Sequence, residues 1–128
     1  MNIELTKIMN HEPIFCTQDT RIAEIKYLLK KYDCDELIVL DSEIEKHPVG
    51  LVSLTDTNTD DVEDCEMPSD VSASECMRAI PAVVGVNSTL DECMNIMRAN
   101  HLERIPVVDM NGHMNGVLER DELARLLL

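Results

Sequence analysis

The second half of this sequence repeats the first at a shift of 66 to 68 positions. Identical residues of several chemical kinds coincide, among them Met9 with Met77, Pro13 with Pro81, Val39 with Val107, Asp41 with Asp109 and Gly50 with Gly116. Two copies are too few for a solenoid, in which three or more repeats are expected. The repeat therefore predicts a closed, pseudo-symmetric pair in which each half buries apolar surface of the other.

Both halves predict the same order of elements, βαββα. In the first half, apolar side chains at helical spacing indicate a helix over about 21 to 32. A continuous apolar run at 37–40 and a third segment at 48–54 indicate buried strands. The fold class expected is α/β (α+β), with two βαββα repeats about a pseudo-twofold axis.

The second half is expected to begin with a capping box formed by Ser72 and Glu75. A strand is predicted over 82–84, and Ser88 is predicted to cap a helix over about 89 to 100. Strand 104–109 and an Asn-Gly hairpin turn follow. The final helix is predicted to turn Leu123, Leu126 and Leu127 inward.

Composition limits the setting of the protein. With 25 acidic against 11 basic residues, a net charge of -14 opposes binding to nucleic acids and anionic membranes. The N-terminus does not resemble a secretory signal, and no apolar run approaches the roughly 20 residues of a membrane helix. Five cysteines without a CxxC pair, of which Cys16 and Cys93 are expected to be buried, favour a reducing compartment. A cytoplasmic protein is predicted.

The stretch Gly50-Leu51-Val52-Ser53-Leu54-Thr55-Asp56 carries the chemistry of the first half. The hydroxyls of Ser53 and Thr55 donate and accept hydrogen bonds, and the carboxylate of Asp56 accepts two. Such groups fit the vicinal hydroxyls of a ribose. The alternative is structural, with Thr55 or Asp56 capping the helix that follows the strand.

The repeated pattern resembles the CBS domain, and the whole chain resembles a tandem CBS pair, or Bateman module. The residues that carry the resemblance are Ile8-Met9, Pro13, Val39-Leu40-Asp41 and Gly50 to Asp56 in the first repeat, and Cys76-Met77, Pro81, Ile105 to Asp109 and Gly116-Val117-Leu118 in the second. The boundaries expected are 1–57 for the first repeat, 58–71 for an acidic linker and 72–128 for the second repeat. This coverage leaves no room for a catalytic domain within the sequence.

The resemblance implies two clefts that bind adenosine-containing ligands in many relatives. Ser53 and Asp56 match the ribose-holding positions, with Thr55 as an additional contact. The adenine is expected beside segments of the other repeat, which contribute Ile80, Ala82, Leu102 and Glu103.

Departures from the family pattern restrict the ligand. Glu119 and Glu122 replace the hydroxyl and the Asp in the second repeat, so that cleft is predicted to be degenerate. Glu36 stands where phosphate-binding relatives carry a basic residue, and Arg104 occupies this place in the second repeat as the candidate phosphate contact. Three alternatives stay open: a nucleoside or the cationic S-adenosylmethionine; AMP, ADP or ATP held with a metal ion such as Mg²⁺; or no ligand.

The leading functional prediction is a regulatory module that senses an adenosyl ligand in one cleft and signals to a partner protein. The alternative is a ligand-free structural dimerisation module. Neither catalytic nor metal-ligating residues are predicted, because His11, His47, His101 and His113 fall at helix ends and turns. The chain is not expected to be an enzyme. A homodimer is expected, since relatives stack through their helices and little aromatic core is available.

Overall fold

The fold contains two β-sheets with the same arrangement of their first three strands, and each sheet belongs to one of two units of the chain. The computed structural model describes residues 3–53 and 71–127. The first unit is Ile14–Ile80, and the second unit combines Met1–Pro13 with Pro81–Leu128.

The first unit contains a four-stranded sheet and two described helices. In chain order its elements are β1 (Phe15–Thr17), α1 (Ile22–Lys31), β2 (Glu36–Leu40), β3 (Pro48–Ser53), α2 (Ala73–Cys76) and β4 (Arg78–Ala79). The strand order is β1-β2-β3-β4, with β1 parallel to β2 and the other neighbours antiparallel. The helix predicted after β3 falls among residues 54–70, outside the described residues.

The second unit reproduces this pattern with a three-stranded sheet. Its elements are a 3₁₀ turn (Leu5–Lys7), β5 (Val84–Gly85), α3 (Leu90–Ala99), β6 (Arg104–Val108), β7 (Met114–Glu119) and α4 (Arg120–Leu127). Strand β5 is parallel to β6, and β6 is antiparallel to β7. The register of the central hairpin shifts between Val39 and Leu40 in the first sheet and at the equivalent Val107 and Val108 in the second. The predicted internal repeat and the mixed α+β fold class are confirmed.

Helix α1 forms because one stripe of its surface is apolar. Ile22, Ile25 and Leu29 recur at helical spacing and are buried. Ile25 and Leu29 pack with Leu37, Val39 and other residues of the sheet in the core of the first unit. The helix lies within the predicted bounds, with Arg21 and Tyr32 at its two ends.

The start of α3 corrects one prediction. Thr89, not Ser88, is the N-cap: its Oγ1 accepts the Glu92 N–H at 3.1 Å, and the Glu92 carboxylate accepts the Thr89 N–H at 2.9 Å. This capping box places Leu90 first in the helix, where its side chain is buried. The inward face of this helix consists of Leu90, Cys93, Met94 and Met97, which are all buried.

Two other expectations differ from the structure. The strand predicted over 82–84 is β5 at Val84–Gly85, because only these two residues pair with β6. In α4, Leu123 is buried as predicted, whereas Leu127 is 39% exposed in the last turn and is not an inward residue. The capping box at the start of α2 is confirmed, since the Ser72 N–H donates to the Glu75 carboxylate at 3.0 Å.

Each sheet also receives a short segment from the other sequence repeat. In the first unit, β4 follows the linker and pairs with β3, placing Ala79 opposite Gly50. In the second unit, Asn10 forms a β-bridge with Val117, with hydrogen bonds of 2.8 and 3.0 Å between their backbones. The units of the fold are therefore not the two repeats taken separately: the start of each repeat folds with the remainder of the other.

Glycine permits this close approach in both units. A Cβ atom on Gly50 would lie 2.8 Å from the backbone oxygen of Arg78 and 2.5 Å from the sulfur of Met77. A Cβ atom on Gly116 would lie 2.7 Å from the backbone oxygen of Asn10 and 2.9 Å from the sulfur of Met9. The repeated glycine and the repeated methionine thus make the same packing contact in both units.

Candidate ligand-binding site

The end of β3 places the first residue of the predicted ribose turn. Ser53 is the last residue of β3 and lies directly opposite Glu36, the first residue of β2. Residues directly opposite each other in a sheet project to the same face, so Ser53 and Glu36 are neighbours there. The other two members of the turn, Thr55 and Asp56, lie outside the described residues.

An arginine from the segment after the linker neutralises the charge beside Ser53. The Arg78 guanidinium lies 3.4 Å from the Glu36 carboxylate, whose side chain is only 18% exposed. Arg78 belongs to β4 and lies opposite Leu51, two residues before Ser53. Glu36 is therefore not an isolated negative charge, because Arg78 pairs with it.

Sequence reasoning missed Arg78 because 42 residues separate it from Glu36. Its equivalent in the first repeat is the uncharged Asn10, so the comparison of the repeats gave no signal. The only available signal was a lone basic residue directly after the repeated methionine, at Met77. Knowledge that this segment pairs with β3 is needed to interpret it.

The equivalent position of the second unit is filled by an ion pair. Glu119 ends β7 opposite Arg104, the first residue of β6. The Arg104 Nε lies 3.3 Å from the Glu119 carboxylate, and the adjacent pair, Arg120 and Glu103, is separated by 3.1 Å. Arg104, the candidate phosphate contact, thus already binds a carboxylate of its own sheet.

The four residues predicted to surround an adenine lie in loops, and three of them form backbone hydrogen bonds there. In the first unit, the Ile80 N–H donates to the Val49 oxygen at 3.2 Å. In the second unit, Leu102 is buried after the end of α3 and donates its N–H to Met97 at 2.8 Å. The Glu103 oxygen accepts the Arg120 N–H at 2.8 Å. Ala82 is half-buried ahead of β5.

The histidine in the β2–β3 turn has a structural role. The Asp41 carboxylate accepts the His47 backbone N–H at 2.8 Å and lies 2.7 Å from the His47 Nδ1. The side-chain hydrogen bond with His47, supported by the backbone one, lowers the pKa of Asp41 below 3.8. The Asp109 carboxylate likewise accepts the His113 backbone N–H at 3.0 Å in the second unit. His47 is half-buried, and its hydrogen bonds close the turn in which the sequence places it.

Cys16 and Cys93 behave as core residues. Burial raises the pKa of Cys16 to about 12 and that of Cys93 to about 11. Both side chains are buried as predicted, and both thiols are protonated at neutral pH. Cys65, the third of the five cysteines in the sequence, lies outside the described residues.

Comparison with known proteins gives the family. The model of the CBS domain matches twice, at residues 5–57 and 73–128. The chain belongs to the CBS-domain family. It is a tandem CBS pair, as the repeat predicted.

Among curated proteins, the CBS pair is similar to inosine-5'-monophosphate dehydrogenase of Bacillus subtilis, with 26% identity over 116 residues. This match covers 90% of the chain but only 22% of the enzyme. The chain thus spans less than a quarter of the length of this relative.

Solved structures share the fold of the CBS pair. CBSX2 of Arabidopsis thaliana, solved in complex with AMP, matches with a TM-score of 0.78 and 22% identity, covering 97% of this chain and 95% of that one. The CBS domain pair of protein MJ0100, solved with 5'-methylthioadenosine and S-adenosyl-L-methionine, matches with a TM-score of 0.74 and 20% identity, covering 99% and 97%. At these identities the likeness shows the fold alone. None of the helices in 3–53 and 71–127 has the length and apolarity required to span a bilayer.

Proposed function

We propose that this CBS pair is a regulatory module. It binds one adenosine-containing ligand and signals the bound state to a partner protein. The observation that carries the proposal is the difference between the ends of two equivalent strands. Strand β3 ends in the hydroxyl of Ser53, whereas β7 ends in the carboxylate of Glu119, which pairs with Arg104. Only the first of these ends retains the group expected to hold a ribose.

The ribose would be held by Ser53, Thr55 and Asp56. A carboxylate that accepts hydrogen bonds from two vicinal hydroxyls gives the strongest of these contacts, because hydrogen bonds to charged groups contribute about 1.5–3 kcal/mol each. The relatives support this ligand class, since CBSX2 was solved with AMP and MJ0100 with two adenosine derivatives. Ile80, Ala82, Leu102 and Glu103 remain the predicted neighbours of the base.

Arg78 broadens the range of ligands that the first unit can accept. Its side chain is 54% exposed although it pairs with Glu36, so its guanidinium can exchange this carboxylate for a ligand phosphate. We therefore include AMP, ADP and ATP beside adenosine and S-adenosylmethionine, without requiring Mg²⁺. Because Arg104 is already paired with Glu119, it is the weaker candidate for the phosphate contact.

Titration calorimetry with adenosine and AMP tests the assignment. Asp56→Ala should weaken binding of both ligands by more than about tenfold, because it removes two charge-assisted hydrogen bonds. Arg78→Ala should weaken AMP but leave adenosine nearly unchanged, since adenosine has no phosphate. The matched control Glu122→Ala, at the position equivalent to Asp56 in the second repeat, should change neither affinity.

Two results would contradict the proposal. One is an Asp56→Ala variant that binds as tightly as the parent, which would identify the turn as a helix cap only. The other is the absence of binding heat with every adenosine derivative, S-adenosylmethionine included. The latter result would favour the structural dimerisation module.

A further inference from the structure

A cavity of about 320 Å³ opens at one end of the sheet in the second unit. It lies between the β5–α3 loop and the turn that joins β6 to β7, beside the carboxyl ends of two parallel strands. We call it the β5–β6 cavity, and its lining includes Gly85, Ser88, Glu92, Val108, Asp109 and Met110. The volume is at the lower end of the range for small-molecule sites, which is about 300–1,000 Å³.

Two differences between the repeats leave this space open. Gly85 stands where the first repeat has Thr17, and a Cβ atom on Gly85 would meet nothing within 4 Å. Thr17, by contrast, is tied to its loop, because its N–H donates to the Thr20 Oγ1 at 3.0 Å. The turn over 110–112 has three residues, whereas the equivalent turn over 42–46 has five. The open space therefore follows from residues particular to the second repeat.

The lining of the β5–β6 cavity is acidic. It contains the carboxylates of Glu92 and Asp109, and none of the described residues that line it is basic. The Glu92 Oε1 accepts the Thr89 N–H at 2.9 Å. A carboxylate can accept about four hydrogen bonds, so Glu92 retains capacity to bind a donor in the cavity.

The first unit supplies a cation of its own on the equivalent side of its sheet. The Lys46 ammonium, carried by the longer turn, lies 5.6 Å from the centre of the Phe15 ring. Phe15 and Thr17 are two residues apart in β1, so their side chains lie on the same side of the strand. The shorter turn of the second repeat, Met110-Asn111-Gly112, has no basic residue. A cation for the second unit has to come from outside this turn.

We propose that the β5–β6 cavity binds a small organic cation, an ammonium or guanidinium group on a short apolar stem. The charged group would pair with Glu92 and Asp109, and the stem would lie against Val108 and Met110. A bare metal ion fits less well, because the cavity has roughly ten times the volume of about 30 Å³ that one water molecule occupies. A free amine or guanidine and the side chain of a partner's lysine or arginine offer the same chemistry.

This site is independent of the adenosyl site and of the expected homodimer. Arg104 and Val108 lie at opposite ends of β6, so the cavity is about 13 Å along the strand from the ion pair of Arg104 with Glu119. The cavity lies between a loop and a turn at the end of a sheet. The proposal therefore leaves the outward sides of the helices to a second copy of the chain.

NMR titration of the ¹⁵N-labelled chain tests the proposal with butylguanidinium as the ligand. We expect saturable shifts of the Gly85 and Met110 amide signals, and we expect binding to weaken with added salt. Butylurea has nearly the same shape without the charge and should bind at least about fivefold more weakly.

Two variants separate the cavity from the general attraction of an acidic protein for cations. Gly85→Thr installs the residue of the first repeat, and it should weaken binding by more than about tenfold at unchanged charge because it fills the cavity. Glu92→Gln should weaken binding by about threefold, and glutamine can keep the helix cap. The matched control is Glu24→Gln, which makes the same change of charge at the equivalent position of α1 and should leave the affinity unchanged.

A capped Gly-Gly-Arg-Gly-Gly peptide distinguishes the two sources of the cation. Binding at least as tight as that of butylguanidinium would support a partner's side chain, and binding of butylguanidinium alone would support a free small molecule.

Several results would overturn the proposal. These are a dissociation constant weaker than about 10 mM, equal binding of butylurea, a Gly85→Thr variant that binds like the parent, or an equal loss in Glu92→Gln and Glu24→Gln. Thermal melting of each variant checks that the fold is retained.

Discussion

Replacement of Gly50 by alanine should destabilise the first unit through a backbone clash. The added Cβ atom would lie 2.8 Å from the Arg78 oxygen, where ordinary contacts begin at 3.4 Å. Strand β4 would therefore have to retreat by about 0.6 Å, although it is paired with β3 on both sides of the contact, at Gly50 and Leu51. The Met77 sulfur would lie 2.5 Å from the added Cβ atom, but it belongs to a flexible side chain that can move away.

The expected loss of stability follows from two opposing effects. Overpacking of a filled site costs about 1–3 kcal/mol, and the reduced freedom of the unfolded chain returns about 0.4–1 kcal/mol. We expect a net loss of about 1–2 kcal/mol for Gly50→Ala. With a typical urea dependence of about 1–3 kcal/mol per molar, the unfolding midpoint should fall by roughly 0.3–2 M.

Gly85 supplies the matched control for this measurement. A Cβ atom on Gly85 would meet nothing within 4 Å, and its backbone is not left-handed, so Gly85→Ala should leave the midpoint unchanged or raise it slightly. Urea unfolding followed by circular dichroism measures both variants. A Gly50→Ala protein as stable as the parent, or an equal loss in Gly85→Ala, would refute the argument from close approach.

Two further predictions concern the cap of α3 and the turn after β2. Thr89→Ala should lower the free energy of unfolding by about 1 kcal/mol because the capping hydrogen bond is lost. Ser88→Ala should change it little, and a larger loss from Ser88→Ala in the same urea experiment would contradict the observed cap. For Asp41, a native pKa below 3.8 means that its carboxylate stabilises the fold above that pH and that this contribution is lost as the pH falls through the native pKa. Asp41→Asn should therefore be destabilised relative to the parent near neutral pH, and the difference should shrink as the pH falls through the native pKa of Asp41. A pH-independent difference in melting temperature would show that the charge is irrelevant.

Local sequence patterns predicted much of the fold because the position of a helix or a buried strand depends mainly on its own apolar residues. Helix α1 and strands β2 and β6 lie close to their predicted positions, since apolar periodicity and continuous apolar runs determine them. The cap was misplaced because Ser88 and Thr89 are both good N-caps. The spacing of Thr89 and Glu92 as a capping box was the signal that could have decided between them.

What the sequence could not predict depends on long-range pairing. Strand β4 has only two residues, which is too few for a recognisable strand pattern in the sequence. It forms because its residues pair with the edge of β3. The ion pair of Arg78 with Glu36 follows from that pairing and was therefore missed. Ser53 lies within the strand predicted over 48–54 and is the last residue of β3, whereas the roles of Thr55 and Asp56 remain predictions.

The start of each repeat folds with the remainder of the other repeat. This arrangement bears on how the tandem pair evolved and on how the chain responds to cleavage. A fragment that ends before the linker would lack β4, and the edge of β3 at Gly50 and Leu51 would be open to any strand that fits it. Another copy of the fragment carries a related segment around Met9 and Asn10. A single ancestral repeat would thus have gained a complete sheet by associating with its twin, and gene duplication would have made that association permanent within one chain. By the same reasoning, cleavage in the linker need not separate the halves, because each half retains a strand-like segment of the other.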